Sequence, residues 1–350
     1  MKPVFKIRMG ETDLTDLFRD RLLSIRITDK PGMEHDECEI TLDDRDDRLR
    51  LPRRGALLSV CLGYQSAELV EIGAYKVCEV EVKGPPSTLV LRCKAADLRD
   101  DCKSTRSGSW ENSRLEKIVA DIAERNDWIP KCTVDALVPR ADQVGENDLH
   151  FITRLSRQYD ATATLKEGFL LVLRRGAGER RSGTPLEILD IHRSDLADYS
   201  LRFSDQPIHS GVKTSWHNNQ TGNLEIIELK NPAAPEDATA VHTDRHTYPN
   251  KAAAAAAAES RLAAFNRATA TGRFTLEWGN ARLCSEIKIN LSGIKSEVDG
   301  QYLVESVEHR FDKSGWTTSF EINAGNEGKA NAGSGKKKPG AGVIVALPDR

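Results

Sequence analysis

Short runs of alternating apolar and polar residues dominate the first hundred positions of the chain. Turn-forming sequences such as Lys30-Pro31-Gly32 and Lys83-Gly84-Pro85-Pro86 separate them. Because successive side chains on a strand point to opposite faces of a sheet, this spacing predicts antiparallel strands in a barrel or sandwich. The predicted strands are residues 22–27, 38–42, 57–62, 75–82 and 89–93.

The same strand pattern occurs twice, 227 positions apart. Residues 73–81 and 300–308 both read G-x-Y-x-V-x-x-V-E, and each follows a β-like run that ends in glycine, at Gly63 and at Gly293. A turn and a further alternating run follow each copy. Agreement over three successive strands predicts an internal duplication of one β module. It favours a repeating scaffold over a single catalytic pocket.

Between the two β modules the hydrophobic period lengthens to that of a helix. The run from Leu115 to Ile122 places four apolar residues on one helical face, and Ser113 and Glu116 fit a capping box at its start. A second helix is predicted from Asn147 to about Tyr159, followed by a hairpin that turns at Glu167-Gly168.

These patterns divide the chain into four regions. The tail is rich in glycine, alanine and lysine, which predicts a flexible segment, and its short apolar run at 343–347 is suited to docking as an added strand. The predicted regions are a first β-barrel module at 1–103, an α+β insert at 104–190, a second β-barrel module at 191–325 with an alanine-rich helix at about 250–268, and the tail at 326–350.

Composition describes an ordinary soluble protein. The chain has 350 residues, of which 39% are hydrophobic and 29% charged, so two or three domains are expected. A net charge of −3 gives no general attraction to nucleic acid. No segment approaches the roughly 18 apolar residues of a membrane span, and residues 1–5 lack a signal-peptide core, so we expect folding in the cytoplasm.

The seven cysteines form no C-x-x-C pair. Cys38, Cys78 and Cys93 each share a strand face with apolar neighbours. This favours small, half-buried side chains in a reducing compartment over a disulfide, a metal site or an iron–sulfur cluster. No cofactor is expected.

One segment carries possible metal ligands. His242, Asp244 and His246 would lie on one face of a strand, where imidazole and carboxylate groups can bind a metal ion. No fourth ligand is apparent, so a polar edge strand or loop is the simpler interpretation. We predict no metal-binding residue.

Asp148 and His150, near Arg154, carry groups used in acid–base catalysis. Capping of the second helix by Asn147 or Asp148, with surface charge beyond it, explains them more simply. The sequence also lacks the G-x-S-x-G, H-E-x-x-H and phosphate-loop motifs. We therefore predict no catalytic or cofactor-binding residue, and a protein that is not an enzyme.

The basic runs are short and isolated. They are Arg174-Arg175, Arg180-Arg181 and the Lys336–Lys338 cluster, and no helix-turn-helix or zinc-finger spacing accompanies them. A solvated loop or tail accounts for each, which disfavours sequence-specific binding of DNA.

Four groups of segments, in order along the chain, match one known family. They are residues 51–55 with 60–64 and 73–77, Trp110 with 115–123, the stretch 146–155 with its F-x-x-R-L pattern, and 299–309 with 315–318. Over residues 1 to about 325 the chain resembles the late control protein D family, the baseplate hub proteins of contractile-tailed phages. This family is related in architecture to the N-terminal part of type VI secretion spike proteins.

The resemblance implies a mainly β chain with two similar tube-like β-barrel modules, assembled as a homotrimer into a pseudo-sixfold ring. That ring would join a hexameric tail tube protein to a trimeric membrane-piercing spike protein, beside other baseplate and tape-measure proteins in the virion. No specific nucleic acid and no membrane insertion are implied. Because only a short tail follows the second module, we expect the spike to be a separate protein.

Three other functions are weighed against this one. The hub of a phage-derived bacteriocin or of another contractile injection system would have the same features. A tail-associated cell-wall hydrolase is disfavoured because no residues are left over for such a domain. A DNA-binding regulator of late genes is disfavoured by the short basic runs.

Overall fold

The computed structural model of the chain describes residues 2–32, 36–95, 104–166, 168–176 and 186–330. Its fold is mainly β, as predicted. The described strands form one sheet of thirteen and three smaller sheets. The first part of the chain contributes β1 (Pro3–Met9), β2 (Thr12–Asp13), α1 (Thr15–Arg19), β3 (Leu22–Asp29), β4 (Glu37–Asp43), β5 (Leu57–Tyr64), β6 (Val70–Lys83) and β7 (Thr88–Ala95).

The middle of the chain forms the insert, and the remainder returns to the main sheet. The insert contains β8 (Arg106–Arg114), α2 (Leu115–Arg125), β9 (Ile129–Cys132), β10 (Leu137–Glu146), α3 (Asp148–Gln158), β11 (Ala161–Lys166) and β12 (Phe169–Arg174). After it come β13 (Leu189–His192), a short 3-10 helix (Arg193–Asp195), β14 (Leu196–Phe203), β15 (Gly211–Asn218), β16 (Asn223–Lys230), β17 (Val241–Tyr248), α4 (Lys251–Ala268), β18 (Ala270–Leu276), β19 (Lys288–Ser292), β20 (Gly300–Asp312) and β21 (Gly315–Asn323).

Two units of five strands repeat the same order within the main sheet. The first unit runs β3-β4-β7-β6-β5 and the second runs β14-β18-β21-β20-β19, with antiparallel pairing between neighbours. The two copies of the sequence pattern lie in β6 and β20. Each pairs with the strand before it and the strand after it, which confirms the three-strand repeat predicted from the sequence.

The pairing is irregular at equivalent positions of the two units. The ladder between β6 and β7 shifts at Val77–Glu79, and the ladder between β20 and β21 shifts at Val304–Ser306, 227 positions later. A second shift falls at Leu22–Ser24 in β3 and at Leu196–Asp198 in β14. A bulge bends its strand and changes the local twist, so two shared bulges make the units equivalent strand by strand.

The long strand β20 joins the two units. Its first residues pair with β19, and its last six pair with β3 of the first unit, so the sheet continues without a break. The strand path ends at β14 on one side and at β2 on the other. Within the described ranges the pairings close neither unit into a barrel, although barrels were predicted.

The insert packs around the predicted helix. The apolar residues Leu115, Ile118, Val119 and Ile122 are fully buried in its core, which confirms the helical stripe. The predicted capping box is wrong, because Arg114 occupies the N-cap and contributes no side-chain hydrogen bond. Ser113 belongs to β8, and its hydroxyl donates to the carbonyl of a neighbouring strand residue instead.

A second addition lies between β14 and β18, where the first unit has only the short connection from β3 to β4. Here β15, β16 and β17 form a sheet whose inner face packs on α4 through Val212, Ala258 and Leu262. The alanine-rich run is helical as predicted, and the side chain of Asn250 caps it. No helix in the described part of the chain combines the length and the apolar character needed to cross a membrane.

The cysteines divide by their position on the strands. Cys38 and Cys93 are buried and face each other on β4 and β7, as expected for small core residues, and burial raises the pKa of both thiols. Cys78 was expected to be half-buried, but it is exposed. It sits within the shifted segment of β6, where the extra residue of the bulge turns its side chain away from the core.

Candidate functional surface

The outward side of the main sheet is polar across eight strands, from β14 through β18, β21, β20, β3, β4 and β7 to β6. Residues on these strands alternate between the hydrophobic core and this side, and the paired registers bring the polar set together across both units. We call it the charged face. Its charged residues include Asp198, Arg202, Arg273, Glu321, Glu308, Arg310, Asp312, Arg26, Glu37, Glu39, Asp43, Arg92, Lys94, Glu79, Glu81 and Lys83.

Charges of opposite sign alternate across this face. Arg26 of the first unit pairs with Glu308 of the second at 2.8 Å, across the joint between β3 and β20. Arg92 contacts Glu39 at 3.2 Å and Glu79 at 2.9 Å. Exposed ion pairs contribute roughly 0.2–1 kcal/mol each, so these contacts set the charge pattern of the surface more than its stability.

The opposite side of the joint is a core shared by the two units. Phe311 and Trp316, from β20 and β21, pack in the hydrophobic cluster of the first unit. The ring of Phe311 lies 5.3 Å from that of Phe5, and Trp316 lies 5.2 Å from Tyr64. By its place in the chain Trp316 belongs to the second β module, but its indole lies beyond the end of the second unit and packs in the core of the first.

Gly279 makes the shared core possible. Its backbone passes so close to Trp316 that an added Cβ atom would lie 2.0 Å from the indole ring. The carbonyl of Gly279 also accepts a hydrogen bond from the Tyr64 hydroxyl at 3.2 Å. The position therefore admits only glycine, and it fixes a loop of the second unit against the first.

His309 is buried at this joint and is 2% exposed. Its Nδ1 lies 2.9 Å from the hydroxyl of Thr318, which itself accepts from the backbone N–H of Asn280. Burial lowers the pKa of the imidazole from 6.5 to about 4. The folded chain therefore holds this histidine neutral, hydrogen-bonded to the threonine hydroxyl.

Acid should destabilise the joint through His309. The unfolded chain takes up a proton near pH 6.5 and the folded chain only near pH 4, so stability is full above pH 6.5 and is lost as the pH falls towards about 4. We expect a loss of about 3 kcal/mol over that window from this group. Urea unfolding of the wild type and of His309→Gln across the window measures the difference. Equal losses in the two proteins would contradict this assignment.

The residues considered as metal ligands lie on β17, and each contacts an aromatic side chain. His242 packs against Phe265, with ring centroids 4.9 Å apart, and burial lowers the pKa of its imidazole. Asp244 accepts a hydrogen bond from the hydroxyl of Tyr248, against whose ring His246 packs. Within the residues that the structure describes, no three His, Cys, Asp or Glu side chains are grouped to hold a metal ion.

The residues considered for acid–base chemistry lie at the start of α3. Asn147 caps the helix as predicted, accepting a hydrogen bond from the N–H of His150 at 2.7 Å. Asp148, the other residue considered for the cap, is only 2% exposed. Its carboxylate accepts from the side chains of Asn126 at 2.9 Å and Gln143 at 2.8 Å. Asp148 thus ties α2, α3 and β10 together.

Glu146 contacts the other two residues considered for acid–base chemistry, His150 and Arg154. Its carboxylate lies 2.6 Å from Nδ1 of His150 and 2.5 Å from the guanidinium of Arg154. The hydrogen bond from Arg154 lowers the pKa of Glu146. These contacts hold the end of strand β10 against α3.

A cleft of about 670 Å³ lies between the insert and α4. Its cationic lining is largely neutralised by carboxylates of the chain itself. Buried Arg267 donates to both carboxylate oxygens of Asp160, at 2.5 and 3.2 Å, and Arg175 pairs with Glu305 at 3.1 Å. The cleft is therefore a polar joint between two parts of the fold. Of the basic runs, Arg174-Arg175 lies in this region, whereas Arg180-Arg181 and Lys336–Lys338 lie outside the described residues.

The strands of the charged face could be predicted from the sequence, but the face itself could not. The outward positions, such as Arg26, Glu39 and Arg92, alternate visibly with apolar residues along their own strands. The signal that joins them is the register between strands. The charged residues that pair on this face are 13 to 282 residues apart in the chain, so the charge pattern appears only when the strands are aligned.

Comparison with known proteins agrees with this architecture. A family model described as phage tail baseplate hub (GPD) matches residues 87–315. The chain is 31% identical over 362 residues to the probable baseplate hub protein of Escherichia phage 186, covering 92% of this chain and 93% of that one.

Solved structures share the fold at low sequence identity. A tail protein from Neisseria meningitidis MC58 superposes with a TM-score of 0.66 and 12% identity, covering 95% of this chain and 99% of the other. A component of the Escherichia coli type VI secretion system superposes with a TM-score of 0.55 and 11% identity, covering 91% and 76%. Since the family model spans well over half of the chain and the phage 186 relative matches almost all of it, this chain belongs to the phage tail baseplate hub family.

Proposed function

We propose that three copies of this chain form a ring that joins the hexameric tail tube to the trimeric spike of a contractile phage tail. The observation that carries this proposal is the pair of five-strand units, equivalent down to their bulges. Two such units in each of three chains supply six similar surfaces while the assembly keeps threefold symmetry. Contacts between unlike faces close into a ring when the rotation between neighbours allows it.

The charged face is the surface that we assign to the channel of this ring. The other side of the same strands is filled by the hydrophobic clusters of the two units, so only the polar side is suited to a water-filled lumen. Charges of both signs occur along it in nearly equal number. A lumen of this kind would not trap a passing polyanion, because most of its arginines lie beside a carboxylate.

The role is structural, and we place the protein in the tail baseplate of the particle. Its proposed partners are further copies of itself, the tail tube protein, the spike protein, and other baseplate and tape-measure proteins. Recognition would depend on surface complementarity and not on a bound cofactor.

Co-expression with the spike protein encoded in the same phage genome tests the proposal. The full-length chain and the spike are purified together, and the mass of the intact complex is measured under native conditions. We expect three copies of each protein in one complex. A second sample that lacks the spike shows whether the ring forms by itself or needs its partner.

A chain that stays monomeric with both the spike and the tube protein would overturn the proposal. So would a complex with equal numbers of the two proteins in any multiple other than three. The same samples can be imaged by electron microscopy, where we expect rings with a central channel.

A further inference from the structure

The chain contains a joint between two equivalent units, and the strand pairing at this joint suggests how a unit of one copy could pair with a unit of another. The last residues of β20, in the second unit, pair with β3 of the first unit, with Glu308 opposite Thr28 and His309 opposite Ile27. By the internal repeat, β20 is equivalent to β6 and β3 is equivalent to β14. The same joint, applied once more, would pair β6 with a β14.

Both of these strands have an open edge. From Glu79 to Lys83, β6 pairs with β7 on one side and with no described strand on the other. Strand β14 ends the path of the main sheet, so β18 is its sole partner among the described residues. Exposed strand edges of this kind are sites for pairing with another chain.

We infer that β6 of one copy pairs antiparallel with β14 of the next copy, which closes the ring of three chains. The equivalent positions fix the register, with Glu81 opposite Arg202, Val82 opposite Leu201, and Lys83 opposite Ser200. This inference rests on the trimeric ring proposed above and adds the strands and residues that form its contacts.

The apolar residues at the two edges match the internal joint. Val82 lies on the core side of β6 opposite buried Leu89, yet it is 60% exposed. Its equivalent in the second unit is His309, which is buried against β3. Pairing with Leu201 of the next copy would cover Val82 in the same way. The exposed valine is thus a core position that lacks its neighbour within one chain.

The charges at the two edges are also complementary. In the internal joint, Glu308 is opposite Thr28 and binds Arg26 at 2.8 Å. At the open edges the equivalents are Glu81 and Arg202, which the register places directly opposite each other. Arg202 is exposed and makes no ion pair with any residue that the structure describes. Opposite charges across a strand pair favour this partner over a symmetric contact of β6 with β6.

Cysteine cross-linking tests the register. In the double variant Glu81→Cys/Arg202→Cys, the two thiols of each contact would face each other between copies, within reach of oxidation or a short bifunctional thiol reagent. We expect a covalent ladder that ends at a closed trimer. Each single variant should stay monomeric on a denaturing gel, since the contact joins unlike faces. The wild type, treated in the same way, controls for the native cysteines.

Val82→Asp tests the apolar contact without touching the core of one chain. We expect loss of the trimer by native mass measurement, with an unchanged thermal unfolding midpoint for the monomer. Ile226→Asp is the matched control, because that exposed residue lies on the outer face of the β15–β17 sheet, away from both edges. It should leave the trimer intact.

The outcomes separate this inference from the proposed function. A wild type that is trimeric, with a double cysteine variant that does not cross-link or a Val82→Asp variant that still assembles, overturns the strand pairing and leaves the hub proposal standing. A cross-link between two Glu81→Cys chains also overturns it. A wild type that forms no ring, even with the spike, overturns both.

Discussion

Trp316→Ala is expected to lower the free energy of unfolding by about 3–5 kcal/mol. The indole is 4% exposed and lies between Tyr64 and the backbone of Gly279, inside the core shared by the two units. Its removal leaves a cavity that the glycine on one side has no side chain to fill. Urea unfolding followed by circular dichroism measures the loss. Because the residue joins the units, we expect the whole main sheet to be affected.

Trp278→Ala is the matched control for this experiment. Trp278 also contacts Tyr64, with ring centroids 6.4 Å apart, but it is 54% exposed. Its truncation should change the free energy of unfolding by less than about 1 kcal/mol. Similar effects of the two substitutions would contradict the placement of Trp316 in the shared core.

Arg267→Met is expected to cost about 3–5 kcal/mol of stability. The substitution leaves the carboxylate of Asp160 without its bidentate partner in a mostly buried position, and it removes a 2.6 Å hydrogen bond to the side chain of Asn326. The lost contacts join the insert, α4 and the segment after β21. Urea unfolding gives the magnitude, and limited proteolysis reports whether the insert separates first.

Arg273→Met supplies the comparison for Arg267. Arg273 pairs with Glu321 at 3.0 Å on the charged face, where both side chains are at least half exposed. We expect a change below about 1 kcal/mol, because water already solvates both ions. A second variant, Arg267→Met with Asp160→Leu, should recover part of the loss by removing the unpaired charge. If Arg267→Met behaved like Arg273→Met, the buried ion pair would not hold the insert in place.

The local elements were predictable because their signals are local. Alternation marks the strands, and the stripe from Leu115 to Ile122 marks α2, whose four apolar residues are all buried. The repeat was visible because the two copies share residues as well as pattern. Capping was harder to predict. Ser113 and Asn147 both had suitable side chains, but only Asn147 lies where the backbone of the helix begins.

The relations between elements could not be read from the sequence. Trp316 sits on a strand of the second unit and packs in the first, which follows from the overlap of β20 with β3. Asp148 was considered as a helix cap, but its side-chain partners, Asn126 and Gln143, lie on other elements. Cys78 follows the alternation of its neighbours until the bulge shifts it. In each case the deciding fact is a long-range register or packing contact, which a local pattern does not contain.

The two units of one chain differ in what is attached to them. Between its first two strands the first unit has only a short connection, whereas the second unit carries the β15–β17 sheet and α4 at the same place. In a ring of three chains, units that carry the β15–β17 sheet and α4 would alternate with units that do not. A partner that contacts only the five-strand units would meet six nearly identical positions. A partner that reaches the β15–β17 sheet or α4 would meet three. One duplicated chain could in this way present two different symmetries to two different neighbours.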